Sequence, residues 1–128
     1  MDTRSAAGAY REAAFENAPP IKIVRLLYSG ALRFLEQAEA EASTAPGSRY
    51  AYLVLRADSI VAELRLSLLK EQAPQVAENL EQLYLFVEER LRVALRDRDK
   101  SQLAAARKVL LNLLEAWNQV ETPRAAQP

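Results

Sequence analysis

Residues 48–71 read SRYAYLVLRADSIVAELRLSLLKE, and the spacing of the apolar side chains in this stretch decides the architecture. Leu53, Ala57, Ile60, Leu64 and Leu68 recur at three- and four-residue intervals, which places them on one face of an α-helix. Val54 and Val61 widen that face, and Asp58 and Arg65 follow on its flank. Beyond them Leu55, Ala62, Leu66 and Leu69 form a second apolar stripe, nearly opposite the first. A helix at the corner of a bundle buries one stripe, so a second stripe calls for a partner of its own.

The same periodicity extends in both directions. Ile21, Val24, Tyr28, Ala31, Leu35, Ala38 and Ala42 predict a helix over about 20–42. Pro20 suits its first position, where a missing N–H costs nothing. Ser43-Thr44-Ala45-Pro46-Gly47 breaks the pattern before the second helix. Gln72-Ala73-Pro74 is a weaker break. Val76, Leu80, Leu83, Val87, Leu91 and Ala94 then predict a third helix, to about 97. Asp99 is a candidate cap for a fourth, which carries Leu103, Ala106, Leu110, Leu113, Trp117 and Val120 and ends at Thr122-Pro123. Four amphipathic helices with short links predict an all-α fold, an antiparallel four-helix bundle over residues 19–121. Residues 1–18 read as a flexible, loosely ordered N-terminal segment and 122–128 as a flexible tail.

Composition agrees and excludes much else. Ala and Leu make up 43 of 128 residues and glycine only three, a bias toward helix and against sheet. No cysteine and no histidine occur, which removes disulfides, thiolate and imidazole metal sites, and Ser-His-Asp chemistry. Seventeen basic residues balance seventeen acidic ones, so no global field favours nucleic acid. No apolar run reaches the length of a membrane span, and the first residues lack the pattern of a secretory signal. The expectation is a soluble cytoplasmic protein that is not an enzyme and uses no cofactor or metal.

Charge clusters read as solvated surface. Arg90, Arg92, Arg96, Arg98 and Lys100 are interleaved with Glu88, Glu89, Asp97 and Asp99 at a helix end, where cations complement the dipole. Glu36, Glu39 and Glu41 form a solvated acidic face. Trp117 is expected in the core, with the Tyr28 and Tyr84 hydroxyls at the bundle edge. Tyr10 lies in a segment with no scaffold of its own; it either floats or serves as a lid over a groove. Surplus apolar residues recur on the first helix (Ile23, Leu26, Leu27, Phe34) and the third (Leu85, Phe86, Val93). They suggest a groove for an apolar segment of another chain. Scattered exposed apolar residues are also ordinary, and homodimerisation would use the same surface, leaving monomer and weak homodimer both open.

These residues resemble the flagellar secretion chaperone FliS family. Leu27-Tyr28-Ser29-Gly30-Ala31-Leu32-Arg33-Phe34-Leu35 is similar to its LYDGALRFL block, at the same distance from Asn17-Ala18-Pro19-Pro20, where the family has Thr-Ala-Ser-Pro. The run Ala57-Asp58-Ser59-Ile60-Val61-Ala62-Glu63-Leu64, with Ser67-Leu68, looks like the family's second-helix pattern. Leu83-Tyr84, Arg90-Leu91, Ala94 and the closing Ala116-Trp117 follow in order. Pro19, Gln72-Ala73, Leu85 and Leu95 depart from the family's serine, glycine, aspartate and asparagine. The resemblance implies a chaperone that binds the C-terminal segment of flagellin, holds it unpolymerised in the cytoplasm and helps deliver it to the flagellar type III export gate. It also implies that the N-terminal tyrosine, here Tyr10, covers part of the binding surface. Tyr10, Leu55, Ala62, Leu66, Leu69 and Leu85 are the expected partner-binding residues.

Overall fold

The structure, a computed structural model, describes residues 21–71 and 73–126, with side chains described through Gln119. Four helices carry it: α1 (Ile21–Ala40), α2 (Arg49–Leu66), α3 (Pro74–Arg96) and α4 (Ser101–Ala126). Each helix packs on two neighbours, α1 on α2, α2 on α3, α3 on α4 and α4 back on α1. Links between the ends of α2 and α3 (Tyr50 to Ala94) and of α1 and α4 (Arg107 to Glu39) make adjacent helices antiparallel. The expected all-α four-helix bundle is therefore what the chain forms.

Local chemistry sets the helix ends. Gly47 adopts a left-handed φ of 76° and turns the chain into α2. Ser48 is extended, and its hydroxyl accepts from the Ala51 N–H at 3.3 Å, a side-chain N-cap. The second helix was expected to reach residue 71 but stops at Leu66. Ser67 ends it: its N–H reaches the Glu63 carbonyl and its hydroxyl donates to the Leu64 carbonyl at 2.9 Å. A hydroxyl that competes for the last carbonyls favours termination, a signal the apolar spacing hides. Pro74 opens α3, as expected. Arg98 takes a positive φ of 54° after α3, and the Asp99 N–H returns to the Ala94 carbonyl at 3.1 Å. Asp99 then accepts from the Ser101 N–H at 2.9 Å at the start of α4. These hydrogen bonds hold the Asp99 carboxyl below the usual carboxylate range, with the Ser101 hydroxyl contributing most. The last helix passes through Thr122-Pro123, where the sequence reading ended it, to Ala126. Proline loses one backbone donor there, yet its fixed φ is itself helical.

The core is one apolar cluster fed by all four helices. It includes Leu35, Leu53, Val61, Leu80, Leu91, Leu103, Leu110 and Leu113, all fully enclosed. Ile60, expected at the centre of the inner stripe of α2, is only half-buried, while Tyr50 and Val54 are fully buried instead. Tyr50 tolerates burial because its hydroxyl donates to the Ala94 carbonyl at 2.9 Å. Tyr28 and Tyr84 also correct the reading. Their hydroxyls do not sit at the bundle edge; they hydrogen-bond to each other across the core, with ring centroids 6.4 Å apart. Two phenols that satisfy one another can be buried where a lone hydroxyl would be held at the rim. Trp117 is buried, as expected.

Gly30 is buried mid-helix, and a Cβ there would meet the Ile60 Cδ1 at 3.5 Å, an ordinary contact. Glycine inside a helix costs up to about 1 kcal/mol relative to alanine. Gly30→Ala is therefore expected to raise stability by about that amount, seen as a higher urea midpoint at unchanged slope. A lower midpoint would mean that the α1–α2 contact has no room for a methyl group.

Candidate functional site

The face in question is the outward side of α2 together with the adjoining part of α3. Helix α2 turns Leu53, Ala57, Val61 and Leu64 inward, and the period of 3.6 then forces Leu55, Ala62 and Leu66 outward. Leu55 is 53% exposed and Leu66 76%, and Ala62 is half-buried. Leu85, on α3, is 41% exposed. Because α2 ends at Leu66, Leu69 is not part of a helical stripe. It lies in the link to α3, half-buried against the core cluster. Tyr10 lies outside the described residues.

A polar seam borders this face. Arg65 on α2 donates to the Glu88 carboxylate on α3 through both Nε, at 2.6 Å, and a terminal nitrogen, at 3.1 Å. Glu88 is buried, and no other charged side chain is buried among the described residues. Asp58 sits on the same seam. Burial pushes its carboxyl above the usual range and Glu88 adds to this, while Arg92 and Arg65 oppose it. Lys70 pairs with Glu81 at 2.7 Å further along. The sequence reading placed Asp58 and Arg65 correctly on the flank of the inner stripe but took Glu88 for one more solvated acid. Its i+4 relation to Tyr84 and i−3 relation to Leu91, both core residues, was the available signal.

Further apolar exposure lies elsewhere. Ile23 and Leu26 on α1, Tyr52 on α2, Phe86 on α3 and Leu111 on α4 are all exposed. The Arg56 guanidinium stands over both the Phe34 ring, at 5.4 Å, and the Tyr52 ring, at 5.9 Å. Tyr52, three residues before Leu55, borders the outer stripe of α2, and Leu111 stands outside the inner stripe of α4. The basic helix end is solvated only in part: Arg92 and Arg96 are exposed and pair with Glu89 and Asp97, whereas Arg90 and Lys100 are half-buried and donate to Gln102 and to the Glu41 carbonyl. The acidic face of α1 is less open than expected: Glu39 takes Arg107 of α4 in a two-pronged pair at 2.9 and 3.3 Å. Among the described residues no cluster of acidic side chains is placed to hold a metal ion, and no helix is long and apolar enough to cross a membrane. What the arrangement offers chemically is apolar area beside a fixed polar seam, a surface for docking a chain.

The family model described as "Flagellar protein FliS" matches residues 3–124. A protein of Campylobacter jejuni named "Flagellar secretion chaperone FliS" is 29% identical over 120 residues, 94% of each chain. "Flagellar secretion chaperone FliSB" of Pseudomonas aeruginosa is 30% identical over 107 residues, 84% of this chain and 85% of that one.

Proposed function

Because this chain belongs to the FliS family of flagellar proteins, we propose that it is an export chaperone for flagellin. In this reading it binds the C-terminal segment of flagellin, which is disordered before assembly, and keeps it from polymerising in the cytoplasm. It then assists delivery to the flagellar type III secretion apparatus. The work is binding rather than catalysis and needs no cofactor.

The observation that carries the reading beyond family membership is the pair of exposed leucines, Leu55 and Leu66, on one face of α2. An amphipathic client segment laying its apolar face on Leu55, Ala62 and Leu66 gains burial where the bundle has none to offer itself. Leu85 and Leu69 extend that surface toward α3, and Tyr10 is assigned the role of lid in the free protein. Burial of apolar area, at roughly 25 cal/mol per Å2, offsets the entropy the client loses on ordering.

The test is titration calorimetry against a peptide of about the last 40 residues of the same organism's flagellin, long enough for coupled folding. One-to-one binding with a negative heat-capacity change supports the proposal. Leu55→Ser combined with Leu66→Ser is expected to weaken binding roughly tenfold with the helical circular dichroism unchanged, since both side chains already face water. Unchanged affinity in that variant would remove the α2 face from the site. No binding at all by the folded wild-type chain would remove flagellin as the client.

A further inference from the structure

A second feature lies away from α2. Between α1 and α4 an open cleft of about 380 Å3 is lined by Lys22, Arg25, Leu26, Ser29, Leu114 and Asn118. Lys22, Arg25 and Ser29 follow one another at i, i+3 and i+7 and so share a face of α1. Arg25 reaches the Asn118 side chain across the seam at 3.5 Å. Two cations, a hydroxyl and a carboxamide thus converge, and among the described residues no acidic side chain lines the cleft. Among the described residues Lys22 has no acidic partner. The first turn of α1 carries no acidic residue either, so the positive end of its dipole adds to the same potential. Leu26, 61% exposed, stands at one side as an apolar wall, and Leu114 at the other.

This combination fits one chemistry. An anion with up to four acceptor sites, a carboxylate, matches the donors, and an attached apolar side chain matches the leucines. The volume is near the small end for a ligand pocket, which suits the tip of a chain rather than a helix laid along a groove. We infer that the α1–α4 cleft is a subsite for the terminal carboxylate of the bound client, with Lys22 and Arg25 as its cationic partners and Ser29 and Asn118 as further hydrogen-bond donors. The inference rests on the client being a C-terminal segment, as proposed above. It adds an anchor that fixes which end of the segment lies where, something an apolar face alone does not provide.

The test compares two forms of the same flagellin C-terminal peptide, one ending in the free acid and one in the amide. The free acid is expected to bind roughly tenfold more tightly, the gain of a charge-assisted contact. Lys22→Gln should bring the two affinities together, whereas Lys108→Gln, an exposed lysine on α4 outside the cleft, should leave the tenfold ratio in place. Equal binding of acid and amide to the unsubstituted chain overturns the anchor and leaves the chaperone reading standing. Failure of both peptides to bind overturns both. If the cleft instead holds a carboxylate of the chain's own residues 1–20, acid and amide bind alike and Glu16→Gln lowers the melting temperature. If a second copy fills it, Lys22→Gln dissociates a dimer in sedimentation. Either result overturns the inference.

Discussion

Arg65→Met is expected to lower the unfolding free energy by about 3 kcal/mol, although it replaces a surface-reaching arginine with a residue of good helix propensity. The reason is what it leaves behind. The Glu88 side chain is only 7% exposed and the Arg65 side chain 25%, and the two meet in a two-pronged contact between α2 and α3. Solvent-exposed ion pairs are worth little because water competes for both charges. A buried carboxylate has no such alternative once its cation is gone. The double change Arg65→Met with Glu88→Leu removes the orphan charge and should recover most of the loss. Urea unfolding reads all three variants: the single change shifts the midpoint at constant slope, and the double change largely restores it. A loss below about 0.5 kcal/mol for Arg65→Met would class the pair with ordinary surface bridges.

The second large effect is alkaline. Burial pushes the Tyr28 phenol up to about 12, against hydrogen bonds from Tyr84 and Trp117 that pull it down. In the unfolded chain the same group titrates near 10. The folded state therefore keeps the proton over an interval in which the unfolded state has already released it. The stabilisation is fully present below pH 10 and is lost as pH rises toward 12, at about 1.4 kcal/mol per pH unit, or about 3 kcal/mol in all. Tyr50, whose phenol is also raised, by burial first and Asp99 second, adds in the same direction. Tyr28→Phe leaves Tyr84 without this partner, so it should cost about 1–2 kcal/mol at neutral pH. Its decline between pH 10 and 12 should nevertheless be shallower than that of the wild type. Parallel declines would show that other groups govern the alkaline limit.

Why some of this was legible in the sequence and some was not follows from which interactions leave a periodic trace. Inner stripes do: Leu53, Ala57, Leu64, Leu80, Leu91, Leu103 and Trp117 announce themselves by spacing, and all are buried. Proline and glycine punctuation does as well, as at Pro74 and Gly47. Contacts between polar partners on different helices do not. Tyr28 and Tyr84 are 56 positions apart and Arg65 and Glu88 are 23 apart, and nothing local marks either pair as mutual. The same holds at the proposed docking face. Leu55 and Leu66 project outward as the helical period requires, but Leu69 was assigned to that stripe on a helix that Ser67 had already ended. Termination by a side-chain hydroxyl is a contest between backbone geometries, and apolar periodicity carries no information about its outcome. The α1–α4 cleft was invisible for a related reason. Its lining comes from residues 22–29 and 114–118, and only the closing of the ring brings them together.

That ring closure bears on how the chain reaches its native state. Three of the four seams join helices consecutive in sequence, so each can zip as a hairpin across a short link, with little loop-closure entropy. The low contact order of such pairings belongs to chains that fold in microseconds to milliseconds. The fourth seam is of another kind: Glu39 must find Arg107, and Arg25 must find Asn118, 93 positions away. It is the one encounter that engages nearly the whole described chain, and it completes the cleft at the same moment as the fold. A bundle whose first and last helices have parted would keep its three local hairpins yet present no anchor for a partner's end. The closing of that seam would then also set when the proposed anchor becomes available.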